Sequence, residues 1–381
     1  MLNSFVKPVV FLSLFCATTL VQAVEVKQLD EATVAVGSRS SAEKSKGLKK
    51  ALEDVILKNS GSRSALESPE IQAKLANANA LVSQFGYLDT DEGLKLKANF
   101  DHRKIVDMLR NAGLPVWGKQ RPLTLFWLST DINNERVILS DDSSAEERKA
   151  FADASMERGV PLMFPLMDLD DLMRINVNDV RGLFADTVAT ASARYQADFF
   201  AMGALEANGS EFNYQLVLYP KTDISQSFGQ PLLNRQGQAA SKDEAVAEMM
   251  LSLSDYFVSR YAIADSGDGL LSKVRFTGIS QMKQLVEIEA FLNQLSAVRE
   301  ASLSTLQGDS ATFKVQLFGS EDDLKNLLRL EPRLSAAQSG FQDVADGQGY
   351  DGFNSLPQAT ENTEFNENVS QPLGPYQWHS R

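Results

Sequence analysis

Cysteine is almost missing from this chain: Cys16 is the only one in 381 residues. Histidine is nearly as scarce, with His102 and His379 alone. A lone thiol inside an apolar leader gives no disulfide framework, no thiolate nucleophile and no Cys-metal site in the chain that follows. Two histidines so far apart do not assemble a His-based triad or a multi-His metal centre in one core. Neither G-x-x-x-x-G-K-[ST] nor G-x-S-x-G occurs, which removes the P-loop and the usual serine-hydrolase elbow. Basic charge is also short, 37 Lys and Arg against 50 Asp and Glu, a net charge of −13. Nucleic acid and anionic lipid surfaces, which select basic patches, are therefore poor partners. After the leader no apolar run is long enough to span a bilayer.

What is there begins with an address. The opening MLNSFVKPVVFLSLFCATTLVQA has one Lys, an apolar run and a small-residue exit at Val21-Gln22-Ala23, the order of a secretory signal. It predicts cleavage after Ala23 and a soluble exported protein. Leu14 and Phe15, bulky before Cys16, argue against lipoprotein acylation there.

The remainder reads as α/β (α+β) mixed-sheet domains in tandem. Residues 24–118 carry strand-like VEVKQL and ATVAV and a helix from about Ala42 to Asn59, with Leu48, Leu52, Val55 and Ile56 on one stripe before Gly61. A second helical stretch runs from Pro69 into LVSQFGYL; GLKLKANF alternates as a strand, and Asp101 caps a third helix. Residues 119–265 open with the apolar LTLFWL, whose Leu125 and Trp127 face one way and Phe126 and Leu128 the other, as in a strand covered on both sides. Ser144 to Glu147 fits a capping box. VPLMFPLMD is strand-like, and one amphipathic helix carries Val180, Leu183, Phe184, Val188 and Ala191 inward. In YQADFFAMGALEANGSEFNYQLVLYP, Asn208-Gly209 marks a hairpin; a third strand near Phe228 to Leu233 and a helix capped by Ser241 follow, giving βαβαβββα. Residues 270–331 read as a ferredoxin-like βαββα unit with a turn at Gly308-Asp309 and a helix capped by Ser320. Residues 335–381, rich in acids, Gln, Asn, Gly and Ser and without periodicity, are expected to form a disordered tail that can be removed without changing the melting temperature.

The leader, the stretch FDHRKIVDMLRNAGLPVWGKQRPLTLFWL and the order of elements up to about Leu330 resemble the periplasmic proteins of domain-of-unknown-function family 2066. That resemblance supplies no catalytic residues. More distantly, the central order, with Ala197-Asp198-Phe199 and Gly203 ahead of the hairpin, is similar to the TolB amino-terminal domain, CsgG and the FlgT middle domain. It implies a TolB-N-like central domain in a binding or assembly module.

Three groups of residues invite a functional reading. Asp168, Asp170 and Asp171 in PLMDLDDLMRI offer oxygens for a hard cation or an acid–base pair, although a carboxylate capping a short helix explains them as simply. Trp117, Arg121 and Trp127 combine residue types common at binding hot spots; at a domain boundary they also suit a packed junction, with Arg121 bridging to an acid. Tyr376 and Trp378 are aromatic anchors a flexible arm could use on a partner. His102 reads as a solvated first-turn residue, and Glu321, Asp322 and Asp323 as acids of a helix's first turn. The expectation is a non-enzymatic periplasmic interaction or accessory module for a cell-envelope complex, needing no cofactor and no metal. Arg121, Tyr376 and Trp378 are its candidate contacts. The alternative is a metal-assisted hydrolase or small-ligand-binding protein built on Asp168, Asp170 and Asp171.

Overall fold

The computed structural model describes residues 28–336 and 371–380, apart from 92, 134, 222–228 and 268. The predicted leader, most of the predicted strand VEVKQL, Phe228 and most of the predicted tail lie outside the described residues.

The first domain holds β1 (Glu31–Ala35), α1 (Ser41–Ser60), α2 (Pro69–Leu75), β2 (Val82–Thr90), β3 (Gly93–Phe100), α3 (His102–Asn111) and β4 (Val116–Trp117). Ser40 caps α1 and Gly61, at φ 71, ends it in the left-handed region. The stripe Leu48, Leu52, Val55 and Ile56 is buried in one cluster with Leu96 and Ala98 of an antiparallel sheet ordered β1-β3-β2. Asp101 caps α3 as predicted. VSQFGYLDT is strand β2, so the helical stretch after Pro69 ends at Leu75; hairpin pairing of Val82–Thr90 with β3 supplies its main-chain partners.

The central domain runs through β5 (Thr124–Ile132), β6 (Glu135–Ile138), α4 (Glu146–Arg158), β7 (Leu162–Met163), α5 (Leu169–Arg174), α6 (Val177–Arg181), α7 (Ala185–Ser192), β8 (Phe199–Asn208), β9 (Glu211–Pro220), β10 (Leu233–Ala239), α8 (Lys242–Tyr261) and β11 (Ala262–Ile263). Its sheet is ordered β10-β9-β8-β5-β6, with β7 also on β5. β5 is covered on both sides: Phe126 and Leu128 share a cluster with Phe151 and Met249, whereas Leu125 and Trp127 share one with Val180 and Val188.

Three local expectations fail here for identifiable reasons. Ala145, not Ser144, is the N-cap of α4, and Glu147 is buried in an ion pair with Lys242 at the start of α8 rather than closing a capping box. The single helix through Val180 is two helices. Leu183, at φ 56, breaks it, and Phe184 points outward with 56% of its surface exposed. The hairpin turn falls on Gly209-Ser210, with Asn208 still paired to Glu211.

The last domain contains β12 (Leu271–Thr277), α9 (Met282–Leu292), β13 (Val298–Gln307), β14 (Ser310–Leu317), α10 (Glu321–Arg329), β15 (Leu334–Ala336) and β16 (Leu373–Trp378). Ser320 and Asp323 form the capping box of α10. The five-stranded sheet is ordered β13-β14-β12-β16-β15. Its first five elements are the expected βαββα unit, but the tail is not wholly irregular. β16 lies between β12, to which it is parallel, and β15, to which it is antiparallel. Residues 373–378 supply strand pairing and Trp378 supplies core, which an isolated six-residue stretch containing Gly and Pro does not signal.

The domains meet at main-chain contacts. β4 pairs antiparallel with β11. Arg110 of α3 donates to the carbonyls of Ile263 and Ser296. A Cβ on Gly61 would stand 2.0 Å from Val258 of α8, so a side chain there would collide with the central domain.

Candidate functional site

The segment Pro165–Arg174 inverts the usual sense of a surface helix. Asp168 is the N-cap of α5, and its side chain accepts from the main-chain N–H of Asp171 at 3.1 Å. Asp171 is the helix's one buried residue, with none of its surface exposed. Its Oδ2 accepts from the Tyr195 hydroxyl and from the Met167 N–H at 3.0 Å, while Tyr195 Oη accepts from the Leu166 N–H at 2.8 Å. Arg194 grips Asp168 with both terminal nitrogens, at 2.6 and 2.7 Å, and reaches Asp171 Oδ1 at 3.2 Å. The cation shared by these carboxylates is thus a guanidinium in fork geometry.

The electrostatics follow that contact. Hydrogen bonding to Arg194 holds the Asp168 carboxyl down at about 2, below its ordinary 3.8, and the same bond raises Arg194. Burial, and then donation to Asp171, push the Tyr195 hydroxyl up. Tyr195 is braced edge-on by Trp127, whose Nε1 donates to Ser192 at 2.9 Å.

With Asp171 turned inward, α5 turns its apolar residues out. Leu172 is 62% exposed and Met173 74%, and Leu166 and Leu169 are exposed beside them. α5 packs on α7, whose N-cap is the exposed Phe184. Isolated exposed leucines are ordinary; a run of them on a helix anchored by a buried carboxylate is not.

The predicted site residues separate in this structure. Asp170 stands exposed in the first turn of α5, away from the clasp formed by Asp168 and Asp171. Among the described residues no group of three or more His, Cys, Asp or Glu side chains is arranged to hold a metal ion. Arg121 is buried and meets no acid among the described residues; it donates to the carbonyls of Gly118, Gly159, Lys58 and Trp117 at 2.7 to 2.9 Å and stacks on the Trp117 ring. Trp127 lies in a different hydrophobic cluster from Trp117. Trp378 is 4% exposed, packs on Phe291 and donates from Nε1 to Glu287 at 3.2 Å; Tyr376 is half-buried against Phe276. Arg121 and Trp378 thus both pack and hydrogen-bond within the fold, and Tyr376 is bound into the same sheet as Trp378. His102 is half-buried rather than solvated, and burial lowers its pKa.

Arg194 and Tyr195 escaped the sequence reading because they lie more than twenty residues from their partners. The spacing of Leu169, Leu172 and Met173 on one helical face was the available signal, and such a stripe ordinarily marks core. Gly347, Gly349 and Gly352 have the spacing of a dinucleotide fingerprint, which needs a preceding strand and a following helix; they lie outside the described residues.

Comparison with known families reaches the two ends of the chain. Residues 270–351 match DUF2066. Residues 23–118 match a second domain of unknown function, DUF8605. The DUF2066 match covers β12 to β15 of the last domain but not β16, whereas the stretch from Phe100 to Gly118 on which the resemblance partly rested falls inside the DUF8605 match. The α5 surface lies in neither matched segment. No curated protein and no solved structure matches the chain.

The clasp makes a testable claim. Asp171→Ala leaves the Tyr195 hydroxyl and the Met167 N–H without their acceptor, and is expected to lower stability by about 1–3 kcal/mol and to speed protease cleavage within residues 166–173. Urea unfolding and limited proteolysis check it; unchanged values would show that the clasp does not hold α5. The pH sense is fixed by the depressed carboxyl of Asp168. Its contribution is complete above the ordinary value of 3.8 and is lost as pH falls through about 2.

Proposed function

We propose that this chain is a non-enzymatic, exported interaction module that assists assembly or regulation of a cell-envelope complex, and that α5 is its contact surface. The observation that carries this reading is the outward apolar face of Leu169, Leu172 and Met173 on α5, with Leu166 exposed just before it, on a helix fixed from within by Asp171, Tyr195 and Arg194. Placing leucine and methionine in water while burying a carboxylate is unfavourable for an isolated chain, and a protein partner with an apolar groove reverses that balance. Export is supported by the order of the leader. A TolB-N-like character of the central domain belongs to the same reading and is supported by the succession of β8, β9, β10 and α8. Nucleic acid is disfavoured by the net charge of −13.

The experiment is site-specific photocrosslinking in the producing cell. A photoreactive side chain at Leu172 or Met173 is expected to capture a discrete protein, and one at the exposed Leu306 of β13 is not. Leu172→Glu combined with Met173→Glu should abolish that capture and leave the melting temperature within about 2 °C, because both side chains are already in water. Crosslinks that survive the double substitution would remove α5 from the interface.

A further inference from the structure

One face of the central sheet changes character along its strands. Trp127 of β5, Met202 of β8 and Val217 of β9 stand side by side on that face and share a core with Val180 of α6 and Val188 of α7. Farther along the same face the side chains are polar. Ala204 pairs with Gln215 and Gln215 with Gln236; Glu206 pairs with Asn213 and Asn213 with Gln238. Two rows thus cross β8, β9 and β10, and they line an open trough of about 500 Å³ bounded by Arg181 of α6.

The trough is polar without being charged. Arg181 and Glu206 form an ion pair, so its two formal charges cancel. Asn208 donates to Asn213 Oδ1 at 3.4 Å, which leaves the Asn213 NH2 group as a donor. Among the described residues the carboxamides of Gln215, Gln236 and Gln238 have no protein partner.

We propose that this trough binds a neutral glycan, an extended β-linked chain of the cellulose or chitin type lying across the strands. Each carboxamide donates and accepts without net charge, as each sugar hydroxyl does. A charged ligand would meet a lining whose only two charges already satisfy one another. Neighbouring strands lie about 4.8 Å apart, close to the length of one pyranose, and side chains two residues apart on a strand stand about 6.8 Å apart, which leaves one ring between the two rows. Successive sugars then meet successive strands: one beside Ala204 and Glu206, the next between Gln215 and Asn213, a third between Gln236 and Gln238. None of these residues belongs to α5, so the site stands or falls independently of the α5 surface.

Heteronuclear NMR of the side-chain amides of the full chain tests the site, with cellotetraose and chitotetraose as probes and maltotetraose, whose α-linkages curl the chain, as control. The NH2 signals of Gln215, Gln236 and Gln238 should shift saturably with cellotetraose or chitotetraose, while that of Asn293, bonded within the last domain, stays in place. Gln215→Ala combined with Gln236→Ala should weaken binding on the order of tenfold or more and leave the melting temperature within about 2 °C, since neither carboxamide is buried. The absence of a saturable shift with both β-linked probes overturns the proposal. Equal affinity for maltotetraose overturns it as well, and so does unchanged affinity in the double variant.

Discussion

Arg121→Ala is expected to lower the stability of the chain by more than 3 kcal/mol, since each buried acceptor left unsatisfied costs about 1–3 kcal/mol. The side chain ties Lys58 at the end of α1 to Gly159 at the end of α4 and to Trp117 and Gly118 between them, so its loss leaves carbonyl acceptors in two domains without their donor at once. Burial alone drives this guanidinium down to about 9. Every one of its bonds, however, runs from an N–H to a carbonyl oxygen, an arrangement that favours the protonated fork. Arg121→Lys should therefore recover less than half of the loss, because an ammonium offers three donors from one point and stacks poorly on the Trp117 ring. Urea unfolding followed through tryptophan fluorescence measures both variants. Full recovery by lysine would show that charge and length alone suffice at the junction.

A chain shortened to end at residue 370 should lose the cooperative unfolding of its last domain, and Trp378→Ala should reproduce much of that loss, about 3–5 kcal/mol. The indole is 4% exposed, lies against Phe291 and carries the Arg333 guanidinium over its ring. Removing β16 also uncovers β12 and leaves the three residues of β15 without a neighbouring strand. Differential scanning calorimetry resolves the domain. A melting profile identical to that of the full chain would exclude β16 from the sheet and restore the view of the whole tail as dispensable.

Most of the scaffold was legible because its determinants are local. Capping by Asp101, Ser241 and Ser320 depends on residues within three positions, and the two-faced apolar pattern of β5 places it between helical layers without knowledge of the rest. The misreadings share the opposite property. Glu147 was drawn from its expected cap by Lys242, ninety-five positions away. Asp171 was buried by Tyr195, and Arg121 was satisfied by a carbonyl sixty-three positions earlier in the chain. Phe184 faces outward because of a backbone break at Leu183 that hydrophobic periodicity does not register. Of the candidate site, the carboxylates were visible and their role as anchors was not. An acid in sequence carries no mark of whether water, a metal or an arginine will meet it.

The position of β16 bears on the order in which the last domain forms. β12, α9, β13 and β14 join through neighbours along the chain, and the hairpin turn at Gly308-Asp309 closes early at small entropic cost. The pairing of Phe276 with Tyr376 instead closes a loop of one hundred positions, so the place between β12 and the edge strand β15 is filled by the sheet's most distant segment. High contact order slows folding. Until that pairing forms, β12 has an open edge beside Phe276, and an open edge is a template for a strand other than its own.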